Sequence, residues 1–379
     1  MNIPRRHLLA IAASAAALLA AASPPAAAHP LLDDDGLRSG SVFVSSNAAS
    51  GNEVLVYQRD GSGALVYAAR FATGGLGSNA GLGSQGAVTL SQDGRHLFVV
   101  NAQSNTVSTF AVKRHELKLV SVVASGGLHP ISVAEHDGLV YVLNDRGVGN
   151  VAGFRNQHGE LQPLAGSVRG LSAATGTAPA QVGFSDDGDA LVVTEKGVNR
   201  VVSWRVNNGG TLGPSIVTPS AGATPFGFAF NRRGRLVVSE AFGGAAQASA
   251  LSSYRFDDNV PPRPIVVSAS VPTTQTAACW VAIAPNGRHA YTSNTGSSSI
   301  SLFRVRHDGA LVLVQAVAGN TGTGSAPADS AVSPDGRRFY VRNGGTLTIA
   351  AFRVEAGGEL EERGVVGGLP AFAVGLAAN

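Results

Sequence analysis

Residues 91–101 read SQDGRHLFVVN, and residues 104–110 continue the segment as SNTVSTF. The Asp93-Gly94 pair is typical of tight β-hairpins, because Gly adopts positive φ without steric cost. The runs that follow the pair are rich in Val, Phe and Thr, the residue types that favour strands. Residues 333–341, SPDGRRFYV, repeat the opening of the segment. We interpret it as one repeating unit, in which a turn joins two strands and a loop leads to a third.

Two residue markers recur with the same period along the chain. An aromatic residue lies in the third strand of each of seven copies, at spacings of 44 to 53 residues: Tyr57, Phe110, Phe154, Trp204, Tyr254, Phe303 and Phe352. The second strands end on Asn or Glu: Asn47, Asn101, Asn144, Glu195, Glu240, Asn294 and Asn343. Further Gly-containing turns, such as Asp308-Gly309, predict a hairpin from the third strand to a fourth. Four antiparallel strands per unit make a propeller blade, so the sequence predicts an all-β, seven-bladed β-propeller.

The two ends of the repeat are incomplete in complementary ways. The first copy lacks a leading strand, since residues 41–47 already have the pattern of a second strand, and residues 372–376 are an unpaired strand-like segment. We expect this C-terminal segment to complete the N-terminal blade and to close the ring. The competing fold, a parallel β-solenoid, has coils far shorter than about 50 residues. The propeller is therefore assigned to residues 40–379.

The first 28 residues differ in kind from the rest of the chain. Arg5 and Arg6 precede an apolar run over residues 8–22, and three alanines offer a cleavage site before His29. This layout predicts a signal peptide over residues 1–28, followed by an N-terminal extension over residues 29–39. The paired arginines fit both a twin-arginine signal and an ordinary secretory signal. The sequence thus predicts a periplasmic or secreted protein.

The composition limits the classes of partner. Hydrophobic residues make up 44% of the chain and charged residues 14%, as in a globular protein with a large core. Without Arg5 and Arg6 the chain carries 26 basic and 25 acidic residues, so no nucleic-acid binding is predicted. The apolar run is too short to span a membrane, and no second run follows. Cys279 is the single cysteine, which excludes an intramolecular disulfide. We also expect the protein to be a monomer.

The repeat resembles the blades of the seven-bladed lactonase family, which includes phosphogluconolactonases and the carboxymuconate-cyclising enzymes of fungi. The likeness is carried by residues 91–101 and 104–110, and it covers residues 40–379. Residues 178–185, APAQVGFS, and 224–230, TPFGFAF, are similar to the exported bacterial branch of that family. The resemblance implies a propeller that hydrolyses or forms a small lactone by general acid and base chemistry at its central channel.

Three residues are candidate catalytic groups. His129 lies where the family often has a histidine entering the innermost strand, and imidazole transfers protons near neutral pH. Glu195 and Glu240 replace the asparagine of the repeat, and a family carboxylate at this place implies a general acid or base. If both face the channel, their repulsion raises the pKa of one of them. The alternatives are a structural or exposed histidine, and carboxylates that accept hydrogen bonds from neighbouring backbone.

Five residues are candidates for substrate binding, because they lie in loops that enter or leave the strands beside the channel: Gln85, Asn144, Arg146, Gln181 and Trp280. The guanidinium of Arg146 suits a substrate carboxylate or an oxyanion, and a surface pair with Asp145 is the alternative. Trp280 offers a flat face for stacking, and packing between blades is the alternative.

Several catalytic signatures are absent from the sequence. It contains no Gly-x-Ser-x-Gly elbow, no His-Glu-x-x-His and no Walker loop, and two tryptophans are too few for the docking motif of quinone-dependent propellers. We therefore predict no cofactor and no metal. Two functions remain open: an exported lactone-acting enzyme, and a non-catalytic extracytoplasmic propeller that binds a protein, a glycan or a small ligand.

Overall fold

A computed structural model of the chain describes residues 40–60, 63–114, 116–257 and 262–379. The predicted signal peptide and N-terminal extension, residues 1–39, lie outside the described residues. The helical elements among the described residues are two one-turn 3-10 helices, Phe242–Gly244 and Thr295–Ser297. Within these ranges no helix has the length and apolar character needed to cross a membrane.

Seven antiparallel sheets arranged as blades confirm the predicted all-β, seven-bladed propeller. Blade 1 contains β1 (Ser41–Ser45), β2 (Glu53–Arg59), β3 (Leu65–Ala72) and, as its innermost strand, β29 (Val374–Ala378). Blade 2 contains β4 (Val88–Leu90), β5 (His96–Asn101), β6 (Thr106–Val112) and β7 (Leu117–Ala124). Blade 3 contains β8 (Leu128–His136), β9 (Leu139–Arg146), β10 (Asn150–Gln157), β11 (Glu160–Pro163) and β12 (Arg169–Gly170).

The remaining four blades have four strands each. Blade 4 contains β13 (Pro179–Phe184), β14 (Ala190–Glu195), β15 (Arg200–Val206) and β16 (Leu212–Pro219). Blade 5 contains β17 (Pro225–Phe230), β18 (Leu236–Glu240), β19 (Ala250–Phe256) and β20 (Pro264–Pro272). Blade 6 contains β21 (Ala278–Ile283), β22 (His289–Asn294), β23 (Ser299–Val305) and β24 (Leu311–Asn320). Blade 7 contains β25 (Pro327–Val332), β26 (Arg338–Asn343), β27 (Thr348–Val354) and β28 (Leu360–Val366).

The repeated aromatic residue of the third strand forms the core between blades. All seven of these side chains are buried, each at most 1% exposed. Phe110 of blade 2 lies in one buried cluster with Phe43 and Val56 of blade 1, and Phe303 of blade 6 lies in another with Val237 of blade 5. Burial of apolar surface stabilises the fold by about 25 cal/mol per Å². Each blade buries one of these aromatic side chains, so their spacing along the chain matches the spacing of the blades.

The Ser-x-Asp-Gly segments fold as predicted because their polar side chains bond within the turn. Ser91 Oγ donates to Asp93 Oδ1 at 2.6 Å, and the same oxygen accepts from Arg95 N at 2.9 Å. The glycine after Asp93 has a φ of 66°. The serine-to-aspartate bond recurs between Ser185 and Asp187 and between Ser333 and Asp335.

The innermost strand of each blade has one edge with no further strand beside it. Side chains of other blades bond to main-chain groups of these strands. The Gln181 amide of blade 4 donates to Phe228 O at 3.0 Å and accepts from Phe228 N at 2.7 Å in blade 5. Ser239 Oγ of blade 5 donates to Cys279 O of blade 6 at 2.8 Å. Because unpaired buried main-chain groups are costly, these contacts join neighbouring blades at the channel.

The C-terminal strand closes the ring, as predicted. β29 pairs antiparallel with β1, with Val42 opposite Ala378, and Gly40 N donates to Asn379 O at 3.0 Å. The strand begins two residues later than the predicted 372–376, because Phe372 has a φ of 67° and lies in a turn.

Blade 3 departs from the predicted four strands, because its outer strand is in two pieces. β11 pairs with the end of β10 and β12 pairs with its beginning. Between them, Ser167 Oγ accepts from Gly153 N at 3.0 Å, and a Cβ on Gly153 would lie 2.7 Å from the Tyr141 ring. Only glycine fits there, so this feature depends on a single residue that the repeat pattern does not reveal.

Removal of residues 370–379 deletes β29, in which Val374, Leu376 and Ala377 are buried. We expect the shortened chain to melt at least about 5 °C lower by circular dichroism, because several kcal/mol of buried apolar surface is lost. Phe372→Ala is the control, since that side chain is 53% exposed and its loss should leave melting nearly unchanged. A truncated chain that melts within a degree or two of the full one would show that the ring does not depend on β29.

Candidate functional site at the mouth of the central channel

The loops that enter the innermost strands and those that leave the second strands meet at one mouth of the channel, where propellers usually bind ligands. In six blades, a residue within two positions of the first residue of the innermost strand has a φ between 40° and 67°: His129, Ala178, Thr224, Ala277, Ala326 and Phe372. Alanine and threonine share this conformation with His129. The positive φ of His129 is therefore a property of the fold and not strain specific to a catalytic group.

In blade 2 the entering loop crosses the channel. Gln85 Nε2 donates to Val281 O at 2.8 Å and Gln85 Oε1 accepts from Val281 N at 3.0 Å, so this amide bonds to the innermost strand of blade 6. Gln85 N also donates to Ala180 O of blade 4 at 3.0 Å. Blades 2 and 6 are not neighbours in the ring. Residues 81–85, which we call the plug, therefore lie across the channel mouth.

Other blades fix the main chain of the plug. Trp280 Nε1 donates to Ser84 O at 3.0 Å, and Ser84 Oγ donates to Ile131 O at 2.8 Å. Lys196 Nζ donates to Gly83 O at 3.0 Å. Because blades 3, 4 and 6 all hold it, the plug divides the mouth into two parts.

One part contains a paired histidine. His129 Nδ1 lies 2.6 Å from Asp145 Oδ1, and a carboxylate only accepts, so Nδ1 carries the hydrogen. Nε2 is then the basic nitrogen. It is buried and has no hydrogen-bond partner among the described residues. His129 N donates to Asn105 Oδ1 at 2.7 Å, which fixes the main chain of the pair. A base oriented by a carboxylate is the arrangement that proton transfer requires.

Lys196 follows the second strand of blade 4 and contacts the plug. Its Nζ donates to Gly83 O and, at 2.9 Å, to Pro179 O, and it lies 5.1 Å from the centre of the Phe226 ring. Burial lowers the pKa of Lys196 to about 8, and the charge of Asp145 opposes this shift. An ammonium group has three hydrogens, of which these two bonds use two.

The other part of the mouth is a cavity of about 330 Å³. Its apolar lining comes from blades 1, 2, 6 and 7: Leu82, Trp280, Leu347, Leu369, Pro370, Phe372, Ala373 and Val374. Asp329 and Arg342 also line it, with Oδ2 and Nη2 at 3.2 Å. Burial raises the pKa of Asp329, and the Arg342 guanidinium opposes this. Asp329 Oδ1 and Arg342 Nε are buried without a hydrogen-bond partner in the described part of the chain.

The two glutamates lie inside their own blades, and both are fully buried. Glu195 accepts from Ser172 N at 2.8 Å and from Ser172 Oγ. Glu240 accepts from Gly222 N at 2.7 Å and from Ser252 Oγ at 2.5 Å. Burial raises the pKa of Glu240, and these hydrogen bonds oppose the shift. The structure does not bring the carboxylates together, and each has the backbone contact that was the alternative to catalysis.

The predicted substrate-binding residues are dispersed. The amides of Gln85 and Gln181 bond to main chain of innermost strands, as described above. Asn144 is buried, and its Nδ2 donates to Ser125 O at 3.2 Å and to Asn150 Oδ1 at 2.9 Å. Arg146 is exposed at the end of β9, whereas Trp280 lines the cavity. Gln85 and Gln181 line a second cavity of about 330 Å³, but their amides are already bonded to main chain.

Sequence reasoning did not identify two features of the mouth. The sequence offers Asp145 as a loop residue beside the channel and as a partner of Arg146, and the structure pairs it with His129 instead. Arg342 was not selected, although the corresponding positions of other second strands are small or apolar: Val100, Leu143, Thr194, Ser239 and Ser293. A lone arginine in that row was the available signal, and its partner Asp329 follows from the pairing of β25 with β26.

Comparison with known proteins gives one family and a set of structural relatives. Residues 49–173, 150–259 and 264–367 match the model of a family described as lactonase, 7-bladed beta-propeller. The periplasmic gluconolactonase of Pseudomonas aeruginosa is 20% identical, with a TM-score of 0.67 over 89% of this chain and 99% of that one. A Bacteroides uniformis protein described as a "putative 6-phosphogluconolactonase" is 18% identical, with a TM-score of 0.70 over 89% and 98%. No curated protein matches the sequence. At these identities the structural likeness shows the fold alone.

Gln85→Ala removes both hydrogen bonds that the plug makes to Val281. We expect the free energy of unfolding to fall by about 1–3 kcal/mol in urea titrations, because buried main-chain groups lose their partner. Gln92→Ala, at an exposed glutamine, is the control and should change it by less than about 0.5 kcal/mol. Equal stability of both variants would contradict a structural role for the Gln85 amide.

Proposed function

The chain belongs to the lactonase family of seven-bladed β-propellers, and on this premise we propose that it is an exported enzyme that hydrolyses a small lactone at its channel mouth. The observation that carries the proposal is the His129–Asp145 pair, whose Nε2 is unpartnered among the described residues. Export is supported by the predicted signal peptide and by the P. aeruginosa relative, which is described as periplasmic. Cleavage before His29 would appear in the N-terminal sequence of the exported protein, and an intact N-terminus there would reject it.

In this proposal His129 is the general base. Nε2 takes a proton from water while the water oxygen bonds to the lactone carbonyl carbon. The ring carbon–oxygen bond then breaks, and Nε2 returns the proton to the departing ring oxygen. The product is a hydroxy acid, which releases a proton to neutral solution. Asp145 holds the Nδ1 hydrogen and stabilises the imidazolium that forms.

Lys196 stabilises the negative charge that develops on the carbonyl oxygen. The charge of Asp145 acts on Lys196, and Lys196 bonds to the plug through Gly83 O. Two of its hydrogens bond to main-chain carbonyls, and the third donates to the oxyanion. Glu195 and Glu240 take no part, because both are fully buried and already accept hydrogen bonds from serine side chains and main chain. The exposed Arg146 is likewise left out.

His129→Ala should lower kcat/KM for lactone hydrolysis by about 10²–10⁴-fold, because the general base is lost. The measurement is acid release at constant pH by residues 29–379 over a panel of lactones. His136→Asn is a matched control, since His136 ends the same strand, β8, and its Nε2 lies 3.0 Å from Asp186 O. Its rate should stay within about twofold of the unaltered protein.

Failure of this prediction has a defined meaning. If no lactone releases acid while the melting temperature is normal, hydrolysis is rejected. The non-catalytic propeller that binds a ligand then becomes the better interpretation.

The rate should fall as the pH rises through about 8, because that is where Lys196 loses the proton that its proposed role requires. The rate falls and does not rise because the charged form of Lys196 predominates below its pKa and is lost above it. In Lys196→Met the rate should be lower at pH 7 and this decline should vanish. A decline near pH 8 that persists in Lys196→Met would contradict the role.

A further inference from the structure

The charges in the cavity cancel each other. Asp329 and Arg342 are the charged residues among those that line it, and they form an ion pair at 3.2 Å. A ligand with a phosphate or carboxylate placed here would meet the Asp329 carboxylate as well as the guanidinium. The repulsion offsets the attraction, so the site gives an anion no net advantage.

Some polar atoms of Asp329 and Arg342 form no hydrogen bond with the described residues. Asp329 is 3% exposed and Arg342 is 9% exposed. Asp329 Oδ1 and Arg342 Nε are buried without hydrogen-bond partners among the described residues. Buried polar groups are nearly always paired, and a ligand with an uncharged carbonyl and a donor satisfies such atoms without adding charge.

The rest of the lining is apolar and partly open to solvent. Phe372 is 53% exposed and Leu347 is 37% exposed, although both line the cavity. Trp280 presents an aromatic surface there, held by its bond to Ser84 O. A volume of about 330 Å³ lies at the lower end of the range for small-molecule sites. Its apolar walls favour an alkyl or aryl group over a polyhydroxylated chain.

From these observations we infer that the cavity is a binding site for an uncharged ligand with an alkyl or aryl group. Neither His129 nor Lys196 lines this cavity, so binding here is separate from the proposed hydrolysis and is tested without turnover.

The binding test uses three lactams, which resist hydrolysis. The first is 6-pentylpiperidin-2-one, the second carries a carboxylate at the end of the same chain, and the third is the uncharged glucono-δ-lactam. The chain has two tryptophans, Trp204 and Trp280. Trp204 is buried in blade 4, whereas Trp280 lines the cavity. A ligand in the cavity therefore changes the fluorescence of Trp280. We expect saturable binding of the pentyl lactam, at least about tenfold tighter than of the other two.

Gly81→Leu fills the cavity with little strain. Gly81 lines the cavity, its φ is not in the left-handed region, and an added Cβ meets no atom within 4 Å. The variant should bind the pentyl lactam at least about tenfold more weakly. Gly209→Leu is the matched control, with the same open space but in the hairpin between β15 and β16, and its affinity should be unchanged.

Asp329→Asn leaves the Arg342 charge uncompensated, so the carboxylate-tailed lactam should gain affinity relative to the pentyl lactam. If this variant does not fold, the Gly81 and Gly209 pair still decides the question. Tighter binding of the carboxylate or of glucono-δ-lactam to the unaltered protein would overturn the inference, and so would an affinity that Gly81→Leu leaves intact.

The two proposals fail in different ways. Pentyl lactam binding that Gly81→Leu weakens, without hydrolysis of any lactone, rejects the proposed function and supports the ligand class of the cavity. Hydrolysis of gluconolactone at the same rate in Gly81→Leu, with no binding of the pentyl lactam, rejects the cavity inference and leaves the proposed function standing.

Discussion

The innermost strand of every blade has an edge without a neighbouring strand, and the ring depends on how the main-chain groups of that edge are paired. The Gln181 amide serves blade 5, Ser239 serves blade 6, and Gln85 reaches blade 6 from across the channel. Buried main-chain groups without partners cost about as much as a lost hydrogen bond. The side chains nearest the channel therefore form hydrogen bonds to main chain of the protein. Only polar groups without such bonds are available to a ligand.

This constraint explains why the candidate functional groups lie beside the plug, since the side chains nearer the channel axis are already bonded to main chain. The Gln85 amide that holds the plug is the kind of group a polar substrate would use, and it is already bonded on both sides. Charged side chains are scarce in the buried interior of a chain with 14% charged residues. The Asp329–Arg342 pair is buried although burial of charge opposes folding. The equally buried Glu195 and Glu240 accept hydrogen bonds from the fold. Asp329 Oδ1 and Arg342 Nε have no partner among the described residues, so this pair is the better candidate for function.

The blade count, the hairpin turns and the ring closure follow from the sequence, because each depends on local patterns: an aromatic per repeat, an Asp-Gly turn, and a strand missing at one end. The placement of side chains across the channel does not follow. Gln85 and Val281 are 196 residues apart, and no local pattern relates them. The repeat predicts where Glu195 and Glu240 lie in their strands. It does not predict their hydrogen-bond partners, Ser172 and Ser252, which lie in other segments of the chain. No local pattern identifies Asp145 as the partner of His129 either.

The pairing of β1 with β29 also bears on when the protein becomes native during its synthesis. The ladder pairs Val42 with Ala378, so β1 cannot complete its blade until β29 has been synthesised. Closing so long a segment costs conformational entropy that earlier contacts must offset, and contacts of this range form slowly. Until then the inner side of β1 is an open edge that invites pairing with other chains. Blade 1 is therefore complete only after β29 has been made.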